Sequence, residues 1–324
     1  MATLIDVAQD LGTEEACLAY LEAIRWPGGV ACLKCGSDRI SRVVSTVKNR
    51  RTGEVTKKRH VFNCLEPMCK HQFTTTTGTL FHDSHLPLPK WFMAVALMMN
   101  AKKGLSAKQM QRDLGVNYRT AWHLCHRIRK AMEQPEGFFS GIVEIDETFI
   151  GGAYDKRRKR ARGEKQPVMG FVQRAKDGEV SKVRAFPIRG TGKRTLNPAV
   201  HANVSKDADL VCTDEWAAYK SLGREGFQHG AVNHIAMQWV RPSAIGQVHT
   251  NGIENFWSLF KRGLTGSFHQ VSVKHLSRYL DEFSYRFSNR GADLFAMTNR
   301  GLVRDQPALT YRELIEKPKP ETIE

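Results

Sequence analysis

The chain has 324 residues, 41% of them hydrophobic, and a net charge of +16 with a pI near 9.7. It is long enough for two or three domains, and such an excess of cations favours a polyanionic partner, because self-repulsion opposes compaction. The longest apolar run, WFMAVALMMNA, is too short to span a bilayer, and MATLIDVAQDLG lacks the basic-then-apolar order of a signal peptide, so no membrane role is expected and a cytoplasmic, nucleoid-associated protein is.

In chain order, residues 1–29 read as a short helical segment with Ala16, Leu18, Tyr20, Leu21 and Ile24 as its apolar positions, ended by Pro27-Gly28-Gly29. Residues 30–82 change to short β-like pieces, paired cysteines and basic turns crowded with Lys48, Arg50, Arg51, Lys57, Lys58 and Arg59. Residues 83–135 read as a connector and three helices, at 91–101, 106–114 and 118–132. Residues 140–290 alternate strands and helices. The strands fall at 141–150, 167–174, 181–188 and 208–213, with a weaker one near 231–240, and the closing helices at 253–264 and 272–288. A second cationic run, Lys156, Arg157, Arg158, Lys159, Arg160 and Arg162, lies inside this region. Residues 291–324 are polar and proline-containing, which predicts a loosely held tail. The fold class expected is multidomain α+β.

Four of the seven cysteines form two pairs, Cys32-x2-Cys35 and Cys64-x4-Cys69, on either side of the basic insert. Two knuckles that each bring two thiolates, with a hairpin between them, suit tetrahedral Zn2+, and Gly36 suits the tight turn after the first pair. His60 and His71 are near enough in sequence to replace a ligand. The zinc would be structural, since so small and polar a segment cannot bury enough surface without a staple. Cys17, Cys125 and Cys212 stand in apolar contexts and read as buried thiols.

GLSAKQMQRDLGVNYRTAWHLCHRIRKAM has the form of a helix-turn-helix, with Ser106 and Asn117 as caps and Gly115 at the turn. Ala121, Leu124, Cys125, Ile128 and Met132 recur at helical spacing and face a core. Arg119, His123, Arg127 and Lys130 are left for phosphates or base edges of DNA. Of the second cationic run, Arg157, Arg158 and Arg160 are the expected backbone contacts.

Three acids stand at the ends of predicted elements: Asp146 after the apolar IVEI, Asp214 after ADLVCT, and Glu254 on an amphipathic helix. A carboxylate held in a low-dielectric wall needs a partner, and a divalent cation is a good one. Glu254 and Lys261 are seven residues apart and nearly coincide on one flank of their helix, so one helix points an acid at a metal and a lysine at a phosphate. Arg262 points further towards solvent, and His249 and Asn251 precede the helix as supporting or DNA-contacting groups. Spacing alone does not separate Asp146 from Glu144 or Glu147, nor Asp214 from Glu215. Asp281 and Glu282 are rival sources of a third acid.

Taken together, these stretches resemble bacterial insertion-sequence transposases with an N-terminal zinc ribbon and a DDE-type catalytic domain, relatives of the eukaryotic Merlin transposases. The matching text, in order over about residues 30–290, is CLKCG, FTTTTGTLFHDSHLPLPKW, IDETFIGG, TDEWAAY, VNH, HTNGIENFWSLFKRG and YLDEFSYRFSNR. The resemblance implies a ribonuclease-H-like domain, a mixed sheet with helices on both sides. It implies Asp146 and Asp214 as the first two acids for Mg2+ (or Mn2+), Glu254 as the third with Asn251 as the nearby alternative, and Lys261 as the basic residue that follows. The expected activity is binding of terminal inverted repeats in double-stranded DNA, with metal-dependent cleavage and strand transfer by a homodimer or larger assembly on DNA. A transposase-derived DNA-binding regulator without strand chemistry is the alternative.

Overall fold

The computed structural model describes residues 3–48, 51–52, 55–134, 137–155, 160–176 and 178–316. Two compact units emerge. The first draws on three separate stretches, Met1–Asn100, Ala107–Ala131 and Phe295–Lys317, and the second on Ala101–Ser106 and Met132–Leu294. Arg50 and residues 156–159, Arg157 and Arg158 included, lie outside the described residues, as do the side chains of Lys48, Lys57, Lys58, Arg160 and Arg162. Among the described residues, no helix is long and apolar enough to cross a membrane.

The first unit begins with two helices where one segment was expected, α1 (Leu4–Asp10) and α2 (Glu14–Arg25). The break follows from threonine chemistry. Thr3 and Asp6 form a reciprocal capping box, and the Thr13 hydroxyl accepts the Ala16 N–H, each cap being worth about 1 kcal/mol. A three-stranded antiparallel sheet follows, β1 (Ile40–Lys48), β2 (Val55–Cys64) and β3 (Gln72–Phe73), in that order. Its small core is aromatic, with Phe62 and Phe73 5.3 Å apart and Trp26 set edge-on to Phe62.

Beside this core the four cysteine sulfurs converge, all within 4.8 Å of one another. Cys32 and Cys69 are 3.7 Å apart and Cys35 and Cys64 3.6 Å. Sulfurs bound to one zinc ion at about 2.3 Å lie about 3.8 Å apart in a tetrahedron, whereas a disulfide needs about 2.05 Å, so the donor set fits a metal and not a bridge. The wider CX4C spacing is absorbed locally: Glu66 O accepts from both Cys69 N and Lys70 N. The backbone turns left-handed at Gly36 after the first pair and at Lys70 after the second, so the two knuckles close alike. Neither histidine is needed as a ligand. His71 stacks on Phe73 and its carbonyl accepts the Cys64 N–H, while His60 lies within β2 opposite Val44.

The next helix, α3 (Leu88–Asn100), buries Trp91, Phe92, Ala94, Val95, Ala96, Met98 and Met99 and serves as the unit's central post. The helix-turn-helix follows as α4 (Ala107–Leu114) and α5 (Tyr118–Lys130), with the Asn117 side chain accepting the Thr120 N–H at 2.8 Å.

In the second unit a five-stranded mixed sheet runs β6-β5-β4-β7-β8. Three strands, β4 (Ile142–Asp155), β5 (Arg160–Gln173) and β6 (Lys182–Pro187), form an antiparallel meander. After α6 (Lys193–Asn203), β7 (Leu210–Asp214) joins β4 in parallel and β8 (His229–Val232) joins β7 in parallel. One face packs Val143, Ile145, Met169 and Phe171 against Leu196 and Val200 of α6. The weak strand expected to reach residue 240 stops at Val232, where Asn233 bends the chain by accepting the Ala236 N–H. A two-stranded ribbon, β9 (Arg241–Pro242) with β10 (Gln247–Val248), then leads into α7 (Asn251–Gly263) and α8 (Val273–Ser288), which cover Ile150, Val168, Val172 and Val183 on the other face.

Two glycines set the height of α7. A Cβ on Gly170, the partner of Asp146 across the strands, would stand 2.6 Å from Trp257 and 2.7 Å from Ile253. A Cβ on Gly252 would stand 2.8 Å from the carboxylate of Glu144. That carboxylate is buried. It accepts from Arg174 Nε at 2.7 Å and from the Ile253 N–H at 3.0 Å, and lies 3.2 Å from His249 Nδ1. Arg174 also donates to the carbonyls of Gln247 and His249, so one cation binds the approach to α7 and the acid at its N-terminus.

The chain then returns to the first unit as α9 (Leu294–Val303) and α10 (Tyr311–Ile315). Thr298, Asn299, Leu302, Leu309 and Leu314 are buried there. The loose tail expected for residues 291–324 is therefore corrected over 294–316. Apolar residues of LFAMTNRGLV, and of the stretch that follows it, fill a core that an earlier part of the chain leaves open.

Two outcomes are expected. Elemental analysis will find about one zinc per chain, and both chelation and Cys64→Ser will open residues 12–72 to protease while the second unit stays folded. Gly252→Ala, which drives a methyl into the Glu144 carboxylate, will cost about 2–4 kcal/mol of second-unit stability in thermal or denaturant unfolding.

Candidate active site at the carboxyl edge of the sheet

Parallel strands β4 and β7 align Glu144 with Cys212, and the same register carried two residues on brings Asp146 level with Asp214 at the carboxyl end of β7. In open α/β sheets that end is where ligands sit. Strand alternation puts Glu144 and Asp146 on the α7 face and Glu147 on the other. The resulting environments differ sharply. Glu144 is saturated by Arg174, His249 and the α7 backbone, so it is an anchor. Asp146 has no Lys, Arg or His ion pair among the described residues. Its carboxyl is pushed up to about 7 by burial, then by the charges of Asp214 and Glu254. The buried Trp257 indole N–H acts weakly in the opposite direction, from a position short of full hydrogen-bond geometry. Glu147, on the opposite face, is pushed up to about 8, chiefly by burial, and accepts a hydrogen bond from the Tyr219 hydroxyl.

Asp214 accepts the Trp216 backbone N–H at 3.0 Å, while Glu215 turns aside to accept from Asn233 Nδ2 at 2.5 Å. Glu254 is half-exposed and accepts from the Thr250 hydroxyl at 2.7 Å, with His234 Nε2 3.5 Å away. Asp146, Asp214 and Glu254 are thus drawn into one field of mutual repulsion, which a cation would relieve. They are more open than the cysteine cluster, the only group among the described residues whose donor atoms all lie within 4.8 Å. Of the rival acids, Glu282 is buried beside Arg286 on α8, and Asp281 lines a separate cavity with Arg184 and Asn203. Lys261 and Arg262 are exposed on the last turns of α7, and Asn251 is exposed at its start. His249 is mostly covered and held against Glu144, which makes it a prop for α7 and not a surface contact.

In the first unit, the four residues assigned to the free face of α5 divide. Arg127 is only 5% exposed, donating to Leu309 O at 3.1 Å and His82 O at 2.6 Å. His123 reaches the same Leu309 carbonyl at 2.7 Å. The expectation that both face DNA is corrected, because the returning chain covers that flank. Arg119 remains exposed near the helix start, its guanidinium 3.8 Å from the Tyr311 ring centre, and Lys130 is half-buried.

Three participants escaped the sequence reading: His234, Tyr219 and the Glu144–Arg174 pair. His234 had a signal, the VNH text, but nothing in its spacing connects it to Glu254.

Two sequence profiles match separate stretches of the chain. The profile described as the transposase zinc-ribbon domain matches residues 12–72, and that of the ISXO2-like transposase domain matches residues 138–288; together they cover more than half the chain. A protein of Halobacterium salinarum, described as an uncharacterized protein in transposable element ISH50, is 29% identical over 287 residues, spanning 85% of this chain and 90% of its own. With its four-thiol ribbon and its acid-edged mixed sheet, the chain belongs to the insertion-sequence transposases that join a transposase zinc-ribbon domain to an ISXO2-like transposase domain.

Proposed function

We propose that this transposase binds the terminal inverted repeats of its element and, at Asp146, Asp214 and Glu254, carries out divalent-cation-dependent strand cleavage and strand transfer. The observation that carries the reading is the convergence of Asp146, Asp214 and Glu254 at the carboxyl edge of the sheet, where burial and the charges of the other two acids raise the Asp146 carboxyl. Mg2+ (or Mn2+) held there would activate the attacking water or 3′-hydroxyl and stabilise the leaving oxygen of an in-line displacement.

The chain's own groups supply position and charge. Glu144 and Arg174 fix the start of α7 and with it Glu254; Thr250 and His234 orient the Glu254 carboxylate. Lys261, two turns along the same flank, neutralises phosphate charge beside the site. The ribbon and the exposed start of α5 with Arg119 recognise the ends, and the cationic run around Arg157, Arg158 and Arg160 holds DNA backbone, so binding weakens steeply with salt. Arg262 and Asn251, exposed at opposite ends of α7, add contacts. Because two ends are processed together, the active form is a dimer or larger assembly on DNA.

Purified protein with labelled element ends, target plasmid and Mg2+ will give nicked and joined products, and Asp146→Ala will reduce both by more than about 10³-fold while retaining end binding. Joined product undiminished in Asp146→Ala removes the assignment. The raised carboxyls also fix a pH dependence. The unfolded chain ionises its acids near pH 4, whereas in the folded chain Asp146 and Glu147 hold their protons to about 7 and 8. Without metal, stability therefore falls as pH rises from about 4 to 8. The gain in melting temperature from Mg2+ will grow across about pH 6 to 8, and Asp146→Asn will flatten that growth.

A further inference from the structure

Two tryptophans stand beside the acids with their rings in water. The Trp216 backbone N–H donates to Asp214 and its indole Nε1 donates to Thr191 O at 2.9 Å, yet the residue is 50% exposed. Trp239, 53% exposed, meets the His234 ring edge-on at 5.1 Å, and His234 in turn touches Thr250 and Glu254. One indole is thereby fixed to the second acid and the other, through a histidine, to the third. The loop bearing Trp239 is built to hold this arrangement. Asn233 accepts the Ala236 N–H with its side chain and the Gln238 N–H with its carbonyl, and Met237 adopts a left-handed backbone. Asn233 also donates to Glu215, joining the loop after β8 to the loop after β7. Ile235 and Met237 on the same loop are 97% and 79% exposed.

Exposing this much apolar surface beside a charged site marks a binding face. The occupant is constrained by the neighbours. No cation lies over either indole among the described residues, and a nucleobase offers a neutral π-face that stacks on a fixed indole whatever its sequence. We propose that Trp216 and Trp239 are stacking platforms for unpaired bases flanking the scissile phosphate, with Ile235 and Met237 as the apolar wedge that keeps the strands apart. The enzyme then works on a DNA end whose last base pairs are opened, and the cost of opening is returned by stacking. This assignment rests on the proposed cleavage reaction.

The test uses full-length protein and duplexes carrying the ends of its own element, either fully paired or with two unpaired nucleotides on each side of the scissile phosphate. Binding is measured in Ca2+ and cleavage in Mg2+. The wild type is expected to bind unpaired ends about tenfold or more tighter than paired ones; Trp216→Ala and Trp239→Ala lose most of that preference, and Trp→Phe at either position restores it. Melting temperatures confirm folding, and the phenylalanine variants keep the test valid if an alanine variant does not fold. Equal binding of both ends by the wild type, or a preference untouched by the alanine variants, overturns the proposal. So does a change in sedimentation of the free protein with no change in end preference, which would make a second copy of the chain the occupant. A preference for unpaired ends without cleavage in Mg2+ would sink the transposition chemistry and leave the stacking site standing; cleavage without the preference does the reverse.

Discussion

A single buried carboxylate, that of Glu144, determines where Glu254 stands. Left alone in the sheet it would cost several kcal/mol, and it is tolerated because Arg174, His249 and the Ile253 N–H in the first turn of α7 converge on it. The same contacts that satisfy the charge also hold the helix that carries Glu254. Gly252 is glycine because a methyl there would displace the carboxylate. Remove any one of these and the others lose their purpose: the helix start loosens, and Glu254 no longer has a fixed distance from Asp146.

With α7 pinned, the site is a balance of unlike environments on adjacent positions of one strand. Glu144 is neutralised by protein; Asp146, two residues on and on the same face, faces acids and receives no cation from the chain among the described residues. Glu147, on the opposite face, shares a proton-rich contact with Tyr219. The strand thus carries an anchor, a cation-seeking acid and a hydroxyl-bound acid within four residues, and only the middle one is left with an unmet charge. The zinc ribbon solves the equivalent problem locally, since its donors come from two short turns and need no help from distant elements.

This contrast explains what was legible in the sequence. The cysteine knuckles could be read because each is closed by neighbours in the chain. The strands before Asp146 and Asp214 and the helices at 106–114, 118–132 and 253–264 could be read because their periodicity is local. The difference between Glu144 and Asp146 could not, because it comes from Arg174, thirty residues downstream and just past the end of β5. Arg127 and His123 were placed on an open helix face for the same reason: periodicity separates a helix's apolar side from its polar one but does not reveal that Leu309 returns to cover the polar side. The segment after residue 290 looked like a tail because its apolar residues are few and separated by Arg, Asp and Pro. Its role is set by the cavity it fills, which belongs to residues far earlier in the chain.

That return has a consequence for how the molecule is made. Arg127 and its acceptor on Leu309 are 182 residues apart. At about 5–20 residues per second of synthesis, roughly 10–40 s pass between the appearance of the two. During that interval the whole second unit emerges and can fold, while the first waits with an arginine whose carbonyl partner does not yet exist. The chain therefore completes its acid-edged unit before its ribbon-and-helix unit, although the latter is encoded first. A product cut short before residue 294 would be a finished sheet attached to an unfinished ribbon-and-helix unit.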